Sequence, residues 1–343
     1  MNATPACDLA SLRVDFPGFR IWREMTGDRI RYIARSIHPG AGPHTAVTAD
    51  LDELRAVLGD VPARSQPQPA DVLPFTTTRP NIARMYSYWL GGKDNFEADR
   101  LAADTVLAGF PQVARVARAN RKFVIRAVAH VAARGITQFL DIGTGLPASP
   151  AVHEIASQAD PASRLAYIDN DPVVLAHARA LLAGPGVVVV AGDMRRPGAI
   201  LASPELHDVI DLDQPACVIL TAVLHFVTAP EADAVVAGFT AAMAPGSYLI
   251  LSAGTSTGTD PALIDRLAAA YQDTAVITGR TEAEIAGYFT DLDIEPPGLT
   301  DVWAWRPGRQ WQLPPVGARI LGAVACKPVS PVTAASRGTG RPG

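Results

Sequence analysis

Cysteine is scarce in this chain: Cys7, Cys217 and Cys326 are three among 343 residues, odd in number and far apart. Such spacing supports neither a disulfide framework nor a CxxC metal site, so a reducing, cytoplasmic setting is the expectation. Long apolar runs are lacking too, and no stretch approaches the roughly 18 uncharged residues that a membrane-spanning helix needs. The opening residues, MNATPACDLASLRVDF, lack the basic start and apolar run of a secretory leader. Neither charge is in great excess. A formal net charge of −4 gives no strong nucleic-acid signal. Apolar material is plentiful, at 48% hydrophobic against 19% charged residues, which is enough for a core.

Proline divides the chain. Residues 59–81 read GDVPARSQPQPADVLPFTTTRPN, too poor in large apolar side chains to bury much, and 61–79 is expected to be an extended linker. Residues 328–343 have the same character and are expected to be a disordered tail. Before the linker, Phe19–Met25 and Arg29–Ser36 flank Thr26-Gly27-Asp28 as a hairpin would. Asp50 stands where a cap for the helix DLDELRAVLG belongs, with Glu53 three residues on and Gly59 as a stop. Residues 1–60 therefore read as a small α+β accessory unit.

After the linker, helical spacing covers Ile82–Leu90, Phe96–Ala108 and Val113–Arg134. From Gln138 the period changes: QFLDI, RLAYID, VVVVA, CVIL and YLILS are strand-like and alternate with helices starting near Pro150, Pro172, Pro197 and Pro230. Near-continuous apolar strands alternating with helices predict a parallel sheet covered on both faces. Asp301–Trp305 and Arg319–Cys326 add an antiparallel edge to five parallel strands.

Three strand ends carry the chemistry. The first runs Asp141-Ile142-Gly143-Thr144-Gly145-Leu146-Pro147, where two glycines permit a sharp turn and close approach to a ligand. The second ends in Asp169-Asn170-Asp171, where a carboxylate can accept from both ribose hydroxyls; the third ends in Gly192-Asp193-Met194, where one can accept from an adenine amine. Each acid alone also reads as a helix cap. Together they point to adenosine. Pro147 removes an N–H from the turn, and Asp141 would repel a pyrophosphate but attract an ammonium, which favours S-adenosylmethionine over NAD.

The stretches RPNIARMYSYWLGGKDNFEADRLAAD (79–104), ANRKFVIRAV (119–128), GITQFLDIGTGLP (135–147), VHEIA (152–156) and YIDNDPVVLAHARALLA (167–183) resemble the actinobacterial S-adenosyl methyltransferase family. AGDMRRP (191–197), TAVLHFV (221–227) and APGSYLILS (244–252) continue the resemblance, which covers essentially all of 80–326, and the methyltransferase domain is expected over 80–327. It implies a doubly wound, mostly parallel seven-stranded α/β sheet of class I methyltransferase type with an N-terminal helical cover. S-adenosyl-L-methionine would lie on the turn of Asp141, Gly143, Thr144 and Gly145, with Asp169 on the ribose beside Asn170, and Asp193 near the adenine beside Met194. The chain departs from the family pattern at Pro147-Ala148-Ser149-Pro150-Ala151, where Thr-Asn usually precedes VHE. It departs again at Ser252-Ala253-Gly254, where Ser-His is usual.

His225, after the fourth strand, stands where a substrate-facing base belongs, or packs at a corner. His153 faces the site or packs. Lys93 and Asn95, in the turn after Gly91-Gly92, are expected to close over the cofactor, or Asn95 caps a helix. Tyr86, Tyr88 and Trp89 are candidates for an aromatic wall or for a helix core. The basic helix bearing Arg115, Arg118, Arg121, Lys122 and Arg126 reads as a solvated face, and Cys217 as core. The expected activity is methyl transfer to a small-molecule acceptor; a non-catalytic S-adenosylmethionine-binding module is the alternative, and an NAD-dependent oxidoreductase a third reading.

Overall fold

The structure, a computed structural model, describes residues 8–16, 19–26, 29–36, 45–59, 77–271, 274–307 and 317–329. The chain divides into two compact units, Met1–Phe75 and Thr76–Gly343. Most of the expected linker, from 61 to 76, and the expected tail from 330 onward lie outside the described residues, as does the hairpin turn at 27–28.

In the first unit the order is α1 (Leu9–Asp15), β1 (Phe19–Thr26), β2 (Arg29–Ser36), β3 (Thr45–Thr48) and α2 (Leu51–Gly59). β1 and β2 pair antiparallel as the alternation predicts, and β3 adds a third strand to the free edge of β2. The Asp50 carboxylate caps α2 by accepting from the Asp52 and Glu53 amides at 2.7 and 3.1 Å. Leu54 and Leu58, one turn apart, pack on Leu12, Phe19, Ile21 and Ala34.

The second unit begins with three helices, α3 (Ile82–Leu90), α4 (Glu97–Gly109) and α5 (Val113–Ala132). Strands and helices then alternate: β4 (Gln138–Ile142), α6 (Val152–Ser157), β5 (Arg164–Asp169), α7 (Pro172–Leu181), β6 (Val187–Ala191), α8 (Pro197–Leu201), α9 (Pro204–His207) and β7 (Cys217–Thr221). After β7 come α10 (Ala229–Ala242), β8 (Tyr248–Thr255), α11 (Pro261–Tyr271), α12 (Glu282–Gly287), β9 (Asp293–Ile294), β10 (Thr300–Asp301) and β11 (Arg319–Cys326). No helix among the described residues is long and apolar enough to cross a membrane.

The sheet order is β10-β11-β8-β7-β4-β5-β6, the seven-strand path expected, with β9 pairing with β11 as an eighth, two-residue strand. The five strands from β8 to β6 are parallel and β11 runs against β8. The order reverses between β4 and β7, and ligand sites form at strand carboxyl ends beside such a reversal. Strand alternation sorts the side chains. Leu140, Ile142, Ala166, Ile168, Val218 and Leu220 face the core under α8 to α10, whereas Phe139, Leu165, Tyr167, Cys217 and Ile219 face the core under α5 to α7. Asp141 and Asp169 continue the second series, so both carboxylates emerge on the α5 side.

The strand expected at Asp301–Trp305 stops at Asp301. Arg126 on α5 explains the change: its Nε and Nη2 donate to the Trp305 and Val302 carbonyls at 2.9 and 2.7 Å, drawing the segment off the sheet. Trp305 is thereby buried edge-on against Phe123, with centroids 5.4 Å apart.

Candidate functional site

The glycine turn folds back onto β5. Gly143 and Thr144 donate their amides to the Ile168 carbonyl at 2.8 and 3.1 Å, and Gly145 donates to Asp169 Oδ2 at 2.9 Å. Gly143 and Gly145 sit at φ +66° and +67°, which favours glycine at both. A Cβ at Gly143 would stand 2.7 Å from Val223 Cγ1, so the facing loop, as well as any ligand, excludes a side chain. Asp169 Oδ1 takes the Asp171 amide at 2.9 Å, and the Asp171 carboxylate caps α7. The first free amide of α6, at Ala151, is met by Glu154 at 2.7 Å. The amides of Gly143, Thr144, Gly145 and Ala151 are thus engaged within the protein and are not open to a pyrophosphate.

Burial lifts the Asp141 carboxyl to about 6, with the hydrogen bond from Thr144 Oγ1 at 3.0 Å and the Arg121 charge opposing and Asp169 adding to the rise. Burial also raises Asp169, against the amides of Asp171 and Gly145. Two carboxylates short of solvation on one wall form a site that a cation or a set of hydroxyl donors stabilises. Asp193 differs: the Arg195 guanidinium clamps both its oxygens, at 3.0 Å from Nε, and holds its carboxyl below the usual range. Its expected role toward an adenine amine is thus shared with Arg195.

A cavity of about 700 Å³ joins these groups. Asp141, Gly143, Thr144, Gly145, Asp169, Asn170, Asp193 and Met194 all border it. An apolar half continues beneath the helical cover, walled by Tyr86, Trp89, Val113, Val116, Phe226 and Tyr271. Tyr86 and Trp89 thus border the cavity while packing in the core of the helical cover, and Tyr88 donates to Asp104 at 3.2 Å. An adjoining cavity of about 470 Å³ shares Arg121, Asp141 and Gly145 and is bordered by Gly91 and Gly92.

Lys93 and Asn95 border neither cavity, which corrects their expected place over the cofactor. The turn uses its own polar groups: Asn95 Nδ2 donates to the Gly92 carbonyl at 2.9 Å, and its Oδ1 accepts from Arg100 at 3.1 Å. Lys93 is solvent-exposed. His153 is likewise structural, with Nδ1 2.9 Å from the Tyr167 hydroxyl.

His225, expected as a base or as a ring packed at a corner, does border the cavity. The Gly254 amide donates to its Nδ1 at 3.4 Å, which leaves the ring proton on Nε2, and burial with the Arg280 charge pulls the imidazole down to about 4. A neutral ring of that kind is a hydrogen-bond donor. Just before it, Ala222 holds φ +55°, a strained angle for alanine, fixed by its amide donating to the Ser252 carbonyl and Oγ, each at 3.0 Å. Ser252 Oγ donates in turn to Asn120 Oδ1 at 2.7 Å, and Asn120 Nδ2 donates to the Tyr86 hydroxyl at 3.1 Å. Asn120, Phe226 and Tyr271 were not singled out as site residues by the sequence. Asn120 had a signal, a lone amide in the apolar stripe Val113, Val116, Ala117, Phe123 and Val124 of α5.

Comparison with known proteins places the chain in a family. A crystal structure of a DUF574 family protein from Streptomyces avermitilis MA-4680 is 39% identical, covering 74% of this chain and 99% of that one, with a TM-score of 0.71. A crystal structure of a Thermobifida fusca YX protein is 37% identical, covering 77% and 99%, with a TM-score of 0.70. No curated protein matches the sequence. Residues 70–328 match the S-adenosyl methyltransferase family over a site whose acids and glycine turn suit that cofactor, and the chain belongs to this family of S-adenosylmethionine-dependent methyltransferases.

Proposed function

We propose that the protein methylates a small molecule held in the apolar half of the cavity while the cofactor occupies the polar half. The observation that carries this reading is the division of one continuous cavity into a carboxylate-rich part at the strand ends and an aromatic part under α3 and α5. Bound there, S-adenosylmethionine supplies a sulfonium-activated methyl group. Asp141 faces its ammonium, Asp169 and Asn170 its ribose, and Asp193 and Met194 border its adenine. Arg121 donates from Nη2 to the Ala148 and Pro150 carbonyls, but its buried Nε–H has no partner among the described residues. That free donor suits the carboxylate of the methionine tail. Holding donor and acceptor together without water is the principal contribution the protein makes to such a displacement.

Calorimetric titration with S-adenosylhomocysteine tests the cofactor half. Because Asp169 also holds the glycine turn, Asp169→Asn is the informative change: it keeps an acceptor for the turn and removes the charge. Affinity should fall by about 1.5–3 kcal/mol, the range for hydrogen bonds to a charged group. A folded variant that binds like the parent would remove Asp169 from the ribose.

A further inference from the structure

We propose that the acceptor is a planar phenol or enol, methylated on oxygen and seated among the rings of Trp89, Phe226 and Tyr271. This rests on the reading above, in which the cofactor fills the polar half, and it names what the other half takes. Trp89 and Tyr271 meet edge-on with centroids 6.3 Å apart, and Phe226 and Tyr271 lie 5.8 Å apart at 51°. The His225 ring continues the group, 4.3 Å from Phe226. Walls of this kind hold a flat ring by stacking and edge contacts.

The polar groups in this half decide the acceptor atom. Tyr86 donates its hydroxyl to the Ala117 carbonyl at 3.0 Å, both ends of the Asn120 amide are engaged, and Trp89 Nε1 donates to the Ala103 carbonyl at 3.4 Å. Glu231 closes on the Thr228 amide and hydroxyl, both at 2.8 Å. Among the described residues, the Tyr271 hydroxyl and His225 Nε2–H have no protein partner, although Tyr271 is only 4% exposed. The imidazole N–H only donates, and the Tyr271 hydroxyl, which can donate or accept, turns its hydrogen toward an acceptor. An amine or ammonium would meet one group able to accept here, whereas an oxygen, above all a negative one, meets two that donate.

The base strength on hand narrows the oxygen. An aliphatic alcohol needs a strong base, and His225, held near 4 by burial and Arg280, is a weak one. A phenol or enol ionises much nearer neutrality, as the reference value of about 10 for tyrosine shows. In the step, the hydroxyl proton has passed to water. An oxygen electron pair then forms the new O–CH3 bond as the S–CH3 bond breaks and its electrons return to sulfur. An oxyanion and a sulfonium thus become a neutral ether and a neutral thioether. Tyr271 and His225 steady the oxyanion until it reacts.

The test uses the full chain, saturated with S-adenosylhomocysteine, and three probes of similar outline: 1-naphthol, 1-naphthylamine and decahydro-1-naphthol. Calorimetry should show 1-naphthol binding more tightly than either of the others. Tyr271→Phe, which keeps the ring, should lower 1-naphthol affinity roughly three- to tenfold, the range for one hydrogen bond, lower 1-naphthylamine affinity less, and leave affinity for S-adenosylhomocysteine unchanged. Equal or tighter binding of the amine or the saturated alcohol, no binding of 1-naphthol, or an unaltered 1-naphthol affinity in folded Tyr271→Phe would each overturn the proposal. Failure to bind S-adenosylhomocysteine would instead overturn the cofactor reading on which it rests.

Discussion

At Asp141 the requirements of ligand binding and of folding pull apart. Burial raises this carboxyl from 3.8 to about 6, so the folded chain holds the proton more tightly than the unfolded one. The group's contribution to stability is therefore greatest below pH 4 and declines as pH rises to about 6, where the full cost is roughly 3 kcal/mol. Asp141→Asn removes that cost while keeping an acceptor for Thr144. In urea unfolding at pH 7.5 the ligand-free variant should be more stable than the parent by about 1–3 kcal/mol, a difference that closes at pH 4. S-adenosylmethionine should bind it less well, because the carboxylate that meets the ammonium is gone. A variant no more stable at pH 7.5 than at pH 4, relative to the parent, would show that burial does not strain this residue. His225 runs the other way: its lowered value contributes stability above 6.5 that is lost as pH falls toward 4, which flattens the parent's own profile.

Between elements, one buried ion pair fixes the helical cover. Asp99 on α4 accepts from Arg84 Nε at 3.0 Å and from the Asn81 and Phe96 amides at 2.9 and 2.8 Å, with the paired side chains 3% and 0% exposed. Asp99→Ala leaves a guanidinium and two amides short of a partner in an apolar surround. The expected loss is about 3–5 kcal/mol, seen as a lower thermal midpoint, and affinity for S-adenosylhomocysteine should fall with it because α3 walls the cavity. A variant that melts like the parent would show that the cover does not depend on this contact.

The same elements show what a sequence can disclose. QFLDI, RLAYID and VVVVA were legible to the residue because apolar side chains fill the middle of each strand on both of its faces, and the glycine turn and two acids follow at their ends. Local period says nothing about a competing tertiary contact, and Val302–Trp305 therefore read as strand until the Arg126 side chain was known. Lys93 and Asn95 were misplaced because a polar turn can satisfy itself, as Asn95 does with Gly92 and Arg100. Tyr271 lay at the end of α11, a helix not anticipated, and its role depends on rings brought from α3 and from the segment after β7.

Across the whole chain, the family match begins at residue 70, so the site, its cover and its sheet all belong to the second unit. Within that unit, one of the polar contacts that join the cover to the sheet layer stands where α3 meets α7 at the cavity's border. Asn81, which caps α3 through the Ala83 and Arg84 amides, donates Nδ2 to Asp171 Oδ2 at 2.6 Å, and Asp171 caps α7. Both residues border the cavity. The consequence is one of residence time. A molecule lying beneath that contact leaves through it only when it opens, so its strength enters the dissociation rate more than the affinity of the opened site. Asn81→Asp keeps an oxygen for the α3 amides but sets a second carboxylate against Asp171. In stopped-flow displacement, S-adenosylhomocysteine should leave this variant roughly tenfold faster, the effect of losing a hydrogen bond to a charged group. An unchanged dissociation rate would mean that the cofactor enters and leaves elsewhere along the cavity, without α3 and α7 ever parting.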